Sequence, residues 1–158
     1  MAVRFEPMTG AEFLRYMETA VEDYAQAHLK SGDCEPDEAL ALAKADYDSL
    51  LPEGISTPGQ HLLSIHAGDS ESPIGMLWFE LKERRGKRSA YIFDFVIAPE
   101  HRGKGFGKES LQALEAAVRD LGARRIGLHV MGWNTGARAL YEKAGFSTSG
   151  ILMNKLLA

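Results

Sequence analysis

The residue types that point most directly to chemistry lie in a glycine-rich turn. Residues 102–108 read Arg-Gly-Lys-Gly-Phe-Gly-Lys, follow an apolar predicted strand and open a predicted helix. The first turn of a helix has backbone N–H groups without intrahelical acceptors, and the helix dipole adds partial positive charge there. Glycines let the backbone curve closely around a ligand, and Arg102, Lys104 and Lys108 add full charges. The turn therefore predicts a site for a phosphate or pyrophosphate.

The spacing within this turn separates it from two common nucleotide-binding motifs. A Walker loop needs Gly-x4-Gly-Lys-Ser/Thr, whereas Lys108 is followed here by Glu109. A dinucleotide fingerprint needs Gly-x-Gly-x-x-Gly, whereas the glycines here are Gly103, Gly105 and Gly107 and follow a predicted antiparallel meander. A helix start that requires glycines only for its own geometry is the alternative explanation.

The elements that hold this turn are predicted from hydrophobic periodicity and from helix and turn signals. Their order is strand, two helices, three strands, helix, strand, helix and strand. This order predicts one α/β domain over residues 1–158, with a mixed, mostly antiparallel sheet flanked by helices. The predicted strands cover residues 3–6, 61–66, 74–81, 89–98, 125–130 and 146–156, with residues 82–88 as a hairpin connection. The predicted helices run from a capping box at Thr9 and Glu12 to about Leu29, from after Glu35 with Pro36 in the first turn, from about Gly107 to Leu121, and from a cap at Asn134 to Gly145.

Two titratable residues in predicted strands are candidates for a general base. Asp94 lies inside an otherwise apolar strand, where a lone carboxylate is costly unless it is hydrogen-bonded or paired. His129 lies in the strand before Asn134, and imidazole titrates nearest to neutral pH. A purely structural role is the alternative for each, since strand neighbours alternate between faces. The further carboxylate candidates are Glu80, Glu22 and Asp23.

A second motif lies in residues 134–146, and it accompanies the glycine-rich turn at a fixed distance along the chain. It reads Asn-Thr-Gly-Ala-Arg-Ala-Leu-Tyr-Glu-Lys-Ala-Gly-Phe and begins 32 residues after Arg102. Together with the pattern Arg102-x-x-Gly105-x-Gly107, it resembles the GCN5-related N-acetyltransferase (GNAT) superfamily. The resemblance is clear from about residue 91 to residue 146, and the order of the predicted elements extends it over the chain.

The resemblance implies how acetyl-coenzyme A, the co-substrate of that superfamily, is bound, and it implies no metal. Backbone N–H groups of the turn hold the pyrophosphate, and the backbone of residues 95–97 holds the pantetheine arm and polarises the thioester carbonyl. Tyr141 takes the role of general acid, and Asn134 contacts the cofactor besides capping its helix. The cofactor-binding residues implied in this way are Phe95, Val96, Ile97, Arg102, Gly103, Lys104, Gly105, Phe106, Gly107, Lys108, Asn134 and Tyr141.

The function implied is transfer of the acetyl group to a primary amine of a small, cationic acceptor. One alternative is a non-catalytic module on the same fold that binds or senses acyl-coenzyme A. Tyr141 distinguishes the two functions, because a protein that only binds needs no general acid at that position. A nucleotide-binding or interaction protein is the other alternative. The candidate bases are Asp94 and His129, and water relays could replace a dedicated base. The identity of the acceptor stays open.

The distribution of charge favours a cationic acceptor and an anionic donor. Residues 1–60 hold 12 acidic and 4 basic side chains, a net charge of -8, whereas residues 61–158 hold 10 acidic and 14 basic side chains, a net charge of +4. The N-terminal helices are therefore expected to cover the acceptor site, with Tyr16, Tyr24 and Trp133 as candidate lining residues. Solvated charged faces are the alternative explanation of this asymmetry.

Composition limits the remaining classes of protein. Apolar residues make up 45% and charged residues 25% of the chain, as in ordinary globular domains. No apolar run reaches a membrane-spanning length, and no strongly basic stripe predicts nucleic-acid binding. Because Cys34 is the single cysteine, an internal disulfide and a multi-cysteine zinc site are excluded. No base lies near Cys34 in the sequence, which argues against Cys34 as a catalytic nucleophile. We expect a cytoplasmic protein, and the resemblance makes a homodimer possible.

Overall fold

The computed structural model describes residues 2–157, which contain five strands and four α-helices. The chain divides into two compact units, one of Met1–Leu14 with Glu53–His129 and the other of Arg15–Pro52 with Val130–Ala158. The strands are β1 (Val3–Pro7), β2 (Gln60–Ala67), β3 (Gly75–Arg84), β4 (Lys87–Ile97) and β5 (Ala123–Leu128). The helices are α1 (Gly10–Ser31), α2 (Ala39–Leu50), α3 (Phe106–Asp120) and α4 (Thr135–Lys143), with short 3₁₀ helices at Gly54–Ser56 and Pro99–His101.

The first unit is built on one mixed sheet in the order β1-β2-β3-β4-β5. Each pair from β1 to β4 is antiparallel, and β4 pairs with β5 in parallel. A parallel pair needs a crossover, and α3 supplies it. The predicted α/β class with a mixed, mostly antiparallel sheet is therefore confirmed.

The core of the first unit lies between this sheet and the apolar side of α3. Leu111, Leu114 and Val118 of α3 are buried, as the helical spacing of these residues predicts. On the sheet, Trp78 is 2% exposed, and its indole N–H donates to Gln60 Oε1 at 2.7 Å. Burial of this large aromatic ring is therefore achieved without an unpaired donor.

The helix signals read from the sequence are confirmed at both predicted caps. The Thr9 backbone N–H donates to Glu12 Oε1 at 2.9 Å, and the Glu12 N–H donates to Thr9 Oγ1 at 3.1 Å. This reciprocal pair is the predicted capping box, and α1 follows it. At α4, the Asn134 side chain accepts from the Ala137 N–H at 3.3 Å.

The second helix begins later than the sequence predicts. Residues 35–38 form a turn, in which the Glu38 N–H donates to the Glu35 carbonyl at 3.1 Å and the Glu35 N–H donates to Glu38 Oε1 at 3.0 Å. The Glu38 side chain thus closes the turn, and α2 then starts at Ala39. Pro36 therefore lies in the turn and not in the helix.

The hairpin predicted at residues 82–88 is confirmed, but its connection is shorter than predicted, because the strands continue through most of this stretch. β3 extends to Arg84 and β4 starts at Lys87, so the hairpin turn is only Arg85 and Gly86. These two residues have positive φ values of 55° and 75°. Two such residues match the twist of the flanking strands, and the exposed charged side chains do not interrupt the ladder.

The prediction of a final strand over residues 146–156 is wrong for this structure. Residues 147–157 have no helix or strand assignment, and no strand within residues 2–157 pairs with them. An extended segment counts as a strand only when a partner takes up its backbone groups. In addition, β5 ends at Leu128, two residues earlier than predicted, so His129 lies just beyond it.

Gly75 provides a test of how closely β3 approaches the end of β4. A Cβ at this position would collide with the Val96 carbonyl oxygen and lie 3.1 Å from the Ile97 Cα. Both are backbone atoms and cannot rotate away, so we expect Gly75→Ala to lower the free energy of unfolding by about 1–3 kcal/mol. Urea denaturation of both variants measures this, with Gly10→Ala as the control, because a Cβ at Gly10 meets nothing within 4 Å. Equal stability of the two variants would contradict the close approach.

Candidate functional site

The parallel pairing of β4 with β5 stops partway along β4. Register partners run from Arg88 with Ala123 to Ile92 with Leu128. On its other edge, β4 stays paired with β3 as far as Ile97, which lies opposite Gly75. Residues 93–97 therefore keep an edge with no strand partner in the part of the chain that the structure describes. An extended ligand with amide groups can pair with such an edge through backbone hydrogen bonds.

A β-bulge in β4 coincides with this loss of pairing. Trp78 pairs with Asp94 and Phe79 with Ile92, so Phe93 is an extra residue without a partner on β3. Bulges bend the strand that carries them and increase its twist. The Phe93 ring packs 4.8 Å from the Trp78 ring, between centroids, which fixes the bulge to the core. β4 contains no glycine or proline that would signal this bulge.

The glycine-rich turn follows the free edge after the short 3₁₀ helix Pro99–His101 and opens α3. Gly103 and Gly105 have positive φ values of 75° and 87°, and Gly105 is the N-cap of α3 without a side-chain cap bond. A Cβ at either glycine would meet nothing within 4 Å, so the conformation and not crowding selects glycine there. The N–H groups at the start of α3 thus face an open turn, where the side chains of Lys104 and Lys108 are exposed.

Arg102 has a structural task that the sequence did not reveal. Its Nε donates to the Ile97 carbonyl at 2.7 Å and so joins the end of β4 to the start of the turn. The two predicted parts of the donor site within this unit, residues 95–97 and residues 102–108, are held in one arrangement by this bond. An arginine five residues after the end of a strand is too common a pattern for the sequence to predict this hydrogen bond.

The candidate bases in this unit lie in different environments. Asp94 is half-buried and lies next to the bulge, opposite Trp78. His129 is exposed. Glu80 keeps only 14% of its side chain exposed and forms an ion pair with Lys82 at 3.6 Å. Of the three, Asp94 adjoins the stretch of β4 whose edge has no strand partner in the described part of the chain.

In the second unit, the ring of Tyr141 is fixed by the way α4 ends. The Phe146 N–H donates to the Tyr141 carbonyl at 3.0 Å and the Gly145 N–H to the Glu142 carbonyl at 3.1 Å, with Gly145 at a φ of 98°. This is a Schellman motif, whose usual apolar contact here joins the Tyr141 and Phe146 rings at 5.7 Å. The half-buried Tyr141 is thereby held in place by the Gly-Phe pair that completes its sequence motif.

The loop before Asn134 is anchored to the end of α1 within the same unit. The Trp133 indole N–H donates to Ser31 Oγ at 3.1 Å, and the Lys30 ammonium lies 4.0 Å from the centre of the indole ring. The Ser31 hydroxyl in turn donates to Met131 Sδ at 3.1 Å. Trp133, predicted as a lining residue, is therefore a packing contact that sets the loop geometry ahead of the α4 cap.

The two other aromatic candidates are bonded between α1 and α2. Tyr24 donates to Asp46 Oδ2 at 3.0 Å, and burial together with this carboxylate raises the pKa of the Tyr24 phenol. The hydroxyls of Tyr16 and Tyr47 are 3.3 Å apart. A raised phenol pKa keeps Tyr24 neutral over the physiological range, so it can donate a hydrogen bond but cannot act as a base.

Cys34 lies nearby, at a cavity of about 150 Å³ that the carboxylates of Asp33 and Asp46 also line. Partial burial and the neighbouring carboxylates raise the pKa of the Cys34 thiol. The thiolate is the reactive form, so a raised pKa disfavours a nucleophilic role for Cys34.

Among residues 2–157, no group of three or more His, Cys, Asp or Glu side chains could hold a metal ion. None of the helices in the described part combines the length and apolarity that crossing a membrane requires.

Comparison with known proteins gives the class of this chain. The sequence model of the Acetyltransferase (GNAT) family matches residues 16–146. The Bacillus subtilis N-acetyltransferase YycN, whose activity is uncharacterised, is 36% identical over 157 residues, which cover 99% of this chain and 100% of YycN. The crystal structure of YycN superposes with a TM-score of 0.93 at 35% identity and covers 99% of both chains. The chain therefore belongs to the GNAT family and is an acyltransferase.

Two relatives with stated substrates match shorter stretches of the chain. Thialysine N-epsilon-acetyltransferase of Bos taurus is 29% identical over 99 residues, which are 63% of this chain and 55% of that enzyme. Spermidine N(1)-acetyltransferase of Vibrio cholerae is 41% identical over 64 residues, which are 40% of this chain and 37% of that enzyme. GNAT-family enzymes use acetyl-coenzyme A as co-substrate.

Proposed function

We propose that residues 1–158 act as one N-acetyltransferase domain, which transfers the acetyl group of acetyl-coenzyme A to the primary amine of a small cationic acceptor. One observation carries the donor half of this proposal. The free edge of β4 at residues 93–97 is separated only by residues 98–101 from the open, positively charged turn at residues 102–108. An extended amide-containing arm that ends in a pyrophosphate fits this sequence of features in that order.

The residues of the first unit are suited to hold and align the donor. Backbone groups of Phe95, Val96 and Ile97 offer hydrogen bonds to the pantetheine amides, and an N–H there can polarise the thioester carbonyl. Backbone N–H groups of residues 103–108 offer a cradle for the pyrophosphate, and Lys104 and Lys108 add charge. When bound, acetyl-coenzyme A would supply the acetyl group as an activated thioester and leave as the coenzyme A thiol. Holding both reactants in line removes much of the entropic part of the barrier.

The two proton transfers of the reaction are assigned to Tyr141 and Asp94. The Tyr141 hydroxyl is proposed to protonate the departing sulfur, and the Schellman motif at the end of α4 holds its ring in place. An alkylamine has an ordinary pKa near 10.4, so a proton must leave before the nitrogen can attack. Asp94, half-buried at the bulge, is the favoured acceptor of that proton, and His129, Glu80 or a water relay are the alternatives.

The acceptor class is proposed from charge. The net charge of -8 over residues 1–60 favours a cationic amine, and Asp46 and Asp33 line a cavity within the second unit. Two relatives are named for spermidine and thialysine, both amines that carry positive charge at neutral pH. These relatives support the class and leave the particular acceptor open.

Donor binding is tested at Gly105, whose φ of 87° is strained for any residue with a Cβ. We expect Gly105→Ala to weaken coenzyme A binding about tenfold or more in calorimetry, because about 1–2 kcal/mol of strain would shift the turn away from the binding geometry. Gly86→Ala is the matched control, since Gly86 has a φ of 75° and open space but lies in the hairpin between β3 and β4. Equal losses in both variants, or none at Gly105, would count against the turn as the pyrophosphate site.

The role of Tyr141 is tested by removal of its hydroxyl. Tyr141→Phe keeps the ring contact with Phe146, so we expect kcat to fall about 10²-fold or more with coenzyme A affinity unchanged. Tyr91→Phe is the control, because Tyr91 is a partly exposed tyrosine of β4 without an assigned role. A kcat equal to that of the wild type would remove Tyr141 from the mechanism.

The acceptor is tested by measuring thiol release with a panel of amines that contains spermidine, a lysine analogue, an aminoglycoside and a neutral amine of similar size. We expect the polycationic amines to have the highest kcat/KM, and we expect that value to fall with added salt as the negative field is screened. Faster turnover of the neutral amine would refute the cationic class. Coenzyme A binding without thiol release for any amine would favour the non-catalytic binding module.

A further inference from the structure

A cluster of cationic side chains lies at the end of the sheet where β3 turns into β4. Residues 82–88 hold five basic side chains and one acidic side chain, a net charge of +4, and all seven residues are exposed. β5 runs parallel to β4 and begins beside Arg88, so Arg124 and Arg125 reach the same end of the sheet. We call six exposed cations at this end of the first unit the hairpin patch, namely Lys82, Arg84, Arg85, Lys87, Arg124 and Arg125.

Two cations of the hairpin patch lie directly opposite each other. Arg84 on β3 pairs with Lys87 on β4. Lys82 lies two residues before Arg84 and opposite Ser89. Residues two apart in a strand share a face of the sheet, so these three cations form one group. Like charges directly opposite each other destabilise an antiparallel pair, and an anion bound between them would offset this cost.

The carboxylates of this region leave most of the hairpin patch without neutralisation. Glu83 lies opposite Arg88, and the alternation of side chains puts this pair on the other face of the hairpin. Arg88 donates from Nη1 to the Leu121 carbonyl at 2.6 Å, at the end of α3. Glu80 forms an ion pair with Lys82 at 3.6 Å. The five other cations of the patch form no ion pair within the described part of the first unit.

Arg85 has a backbone conformation that its side chain makes costly. Its φ of 55° is positive, and no other residue with a Cβ has a positive φ between residues 2 and 157. In the left-handed region the Cβ crowds the following carbonyl oxygen, so hairpin turns of this kind favour asparagine, aspartate or glycine. A cation at a strained position, next to further cations, indicates that the charge itself has a function.

A β-bulge brings two further arginines to the same place. The register between β4 and β5 shifts by one residue next to Ser89, so Arg124 and Arg125 both face this serine. Bulges redirect the side chains of the strand that carries them. Neighbouring strands lie about 4.8 Å apart, so the row from β3 across Ser89 to β5 spans about 10 Å. The hairpin patch therefore concentrates its charge in a small area.

We propose that the hairpin patch binds a small ligand with several linked phosphate groups, such as the oligophosphate chain of a nucleotide or inorganic polyphosphate. Four of the six patch residues are arginines, whose parallel N–H donors match phosphate oxygens. A single carboxylate would neutralise one of these cations. Linked phosphates place several negative charges within the short span of the row.

The hairpin patch is separate from the proposed donor site. The eleven residues of β4 span about 30 Å, and the glycine-rich turn follows the far end of this strand. A nucleic acid suits the patch less well than a small ligand does. The pI of the chain is about 5.7, and the patch is confined to one end of the sheet instead of forming a long stripe. Binding at the patch does not require the chain to transfer acetyl groups.

Calorimetric titration of the full chain with sodium tripolyphosphate tests the hairpin patch. Physiological salt screens nonspecific attraction, and saturating coenzyme A keeps the glycine-rich turn occupied. We expect saturable binding to the wild type. We expect the double variant Arg84→Gln, Lys87→Gln to bind tripolyphosphate about tenfold more weakly or worse, because charge-assisted contacts are lost. Circular dichroism establishes that each variant is folded.

The matched control is the double variant Lys104→Gln, Lys108→Gln, which removes the same charge from the glycine-rich turn. It should bind tripolyphosphate as the wild type does. Absence of saturable binding to the wild type, or equal weakening in both double variants, would overturn the proposal. The affinity for coenzyme A, measured in the same samples, reports on the donor site separately, so its loss counts against the proposed function and not against the hairpin patch.

Arg85→Asn distinguishes a binding role from a purely structural role. Asparagine tolerates a positive φ, so the thermal midpoint without ligand should rise by about 2–4 °C. The affinity for tripolyphosphate should fall about threefold or more, since one charge-assisted contact is lost. A higher midpoint with unchanged affinity would contradict a ligand site at the hairpin.

A comparison of ligands identifies the source of the phosphates. Tighter binding of ATP than of tripolyphosphate at the hairpin patch would support a nucleotide, and equal binding would support recognition of the phosphate chain alone. Tighter binding of a single-stranded oligonucleotide than of either small ligand, lost in the Arg84→Gln, Lys87→Gln variant, would refute the small-ligand class and indicate a nucleic acid.

Discussion

The structure depends on how β4 uses its two edges. One edge is held by β3 along its whole length, and the other is held by β5 only as far as Ile92. The bulge at Phe93 bends the strand at this point, and the absence of a side chain at Gly75 lets β3 stay close to the end of β4. Arg102 then ties the strand end to the turn. Together, these local features produce an unpaired edge at the end of β4, followed by the unpaired backbone N–H groups at the start of α3.

The chemistry proposed for this arrangement relies on position and backbone polarity. In the proposed direct attack the acceptor amine is the nucleophile, so no nucleophilic side chain of the protein is needed. The raised pKa of the Cys34 thiol disfavours a covalent route through that residue. In the proposed site the backbone would supply most of the contacts with acetyl-coenzyme A, so the side chains of Phe95 and Ile97 would stay available for packing. This division explains why strand residues can serve the core and the site simultaneously.

The sequence predicted the features that have strong local signals. The capping box at Thr9, the cap at Asn134 and the glycine turn before α3 each follow from residue types at fixed spacing, and the structure has all three. Features that depend on pairing between distant residues were beyond the sequence. The bulge at Phe93, the end of pairing at Ile92 and the unpaired segment 147–157 each result from what lies on a neighbouring strand. The assignments of Tyr141 and Asp94 rest on a family motif and on strand polarity, which local physics alone would not have separated from core packing.

The two tryptophans have a practical consequence. Trp78 is buried within the first unit, whereas Trp133 is 39% exposed within the second and lies under the Lys30 ammonium. Each unit therefore carries its own fluorophore in a different polarity, and the emission of Trp78 should lie to the blue of that of Trp133. Replacing either indole by phenylalanine turns the remaining one into a spectroscopic reporter of a single unit. The melting of each unit could then be followed separately in the same chain.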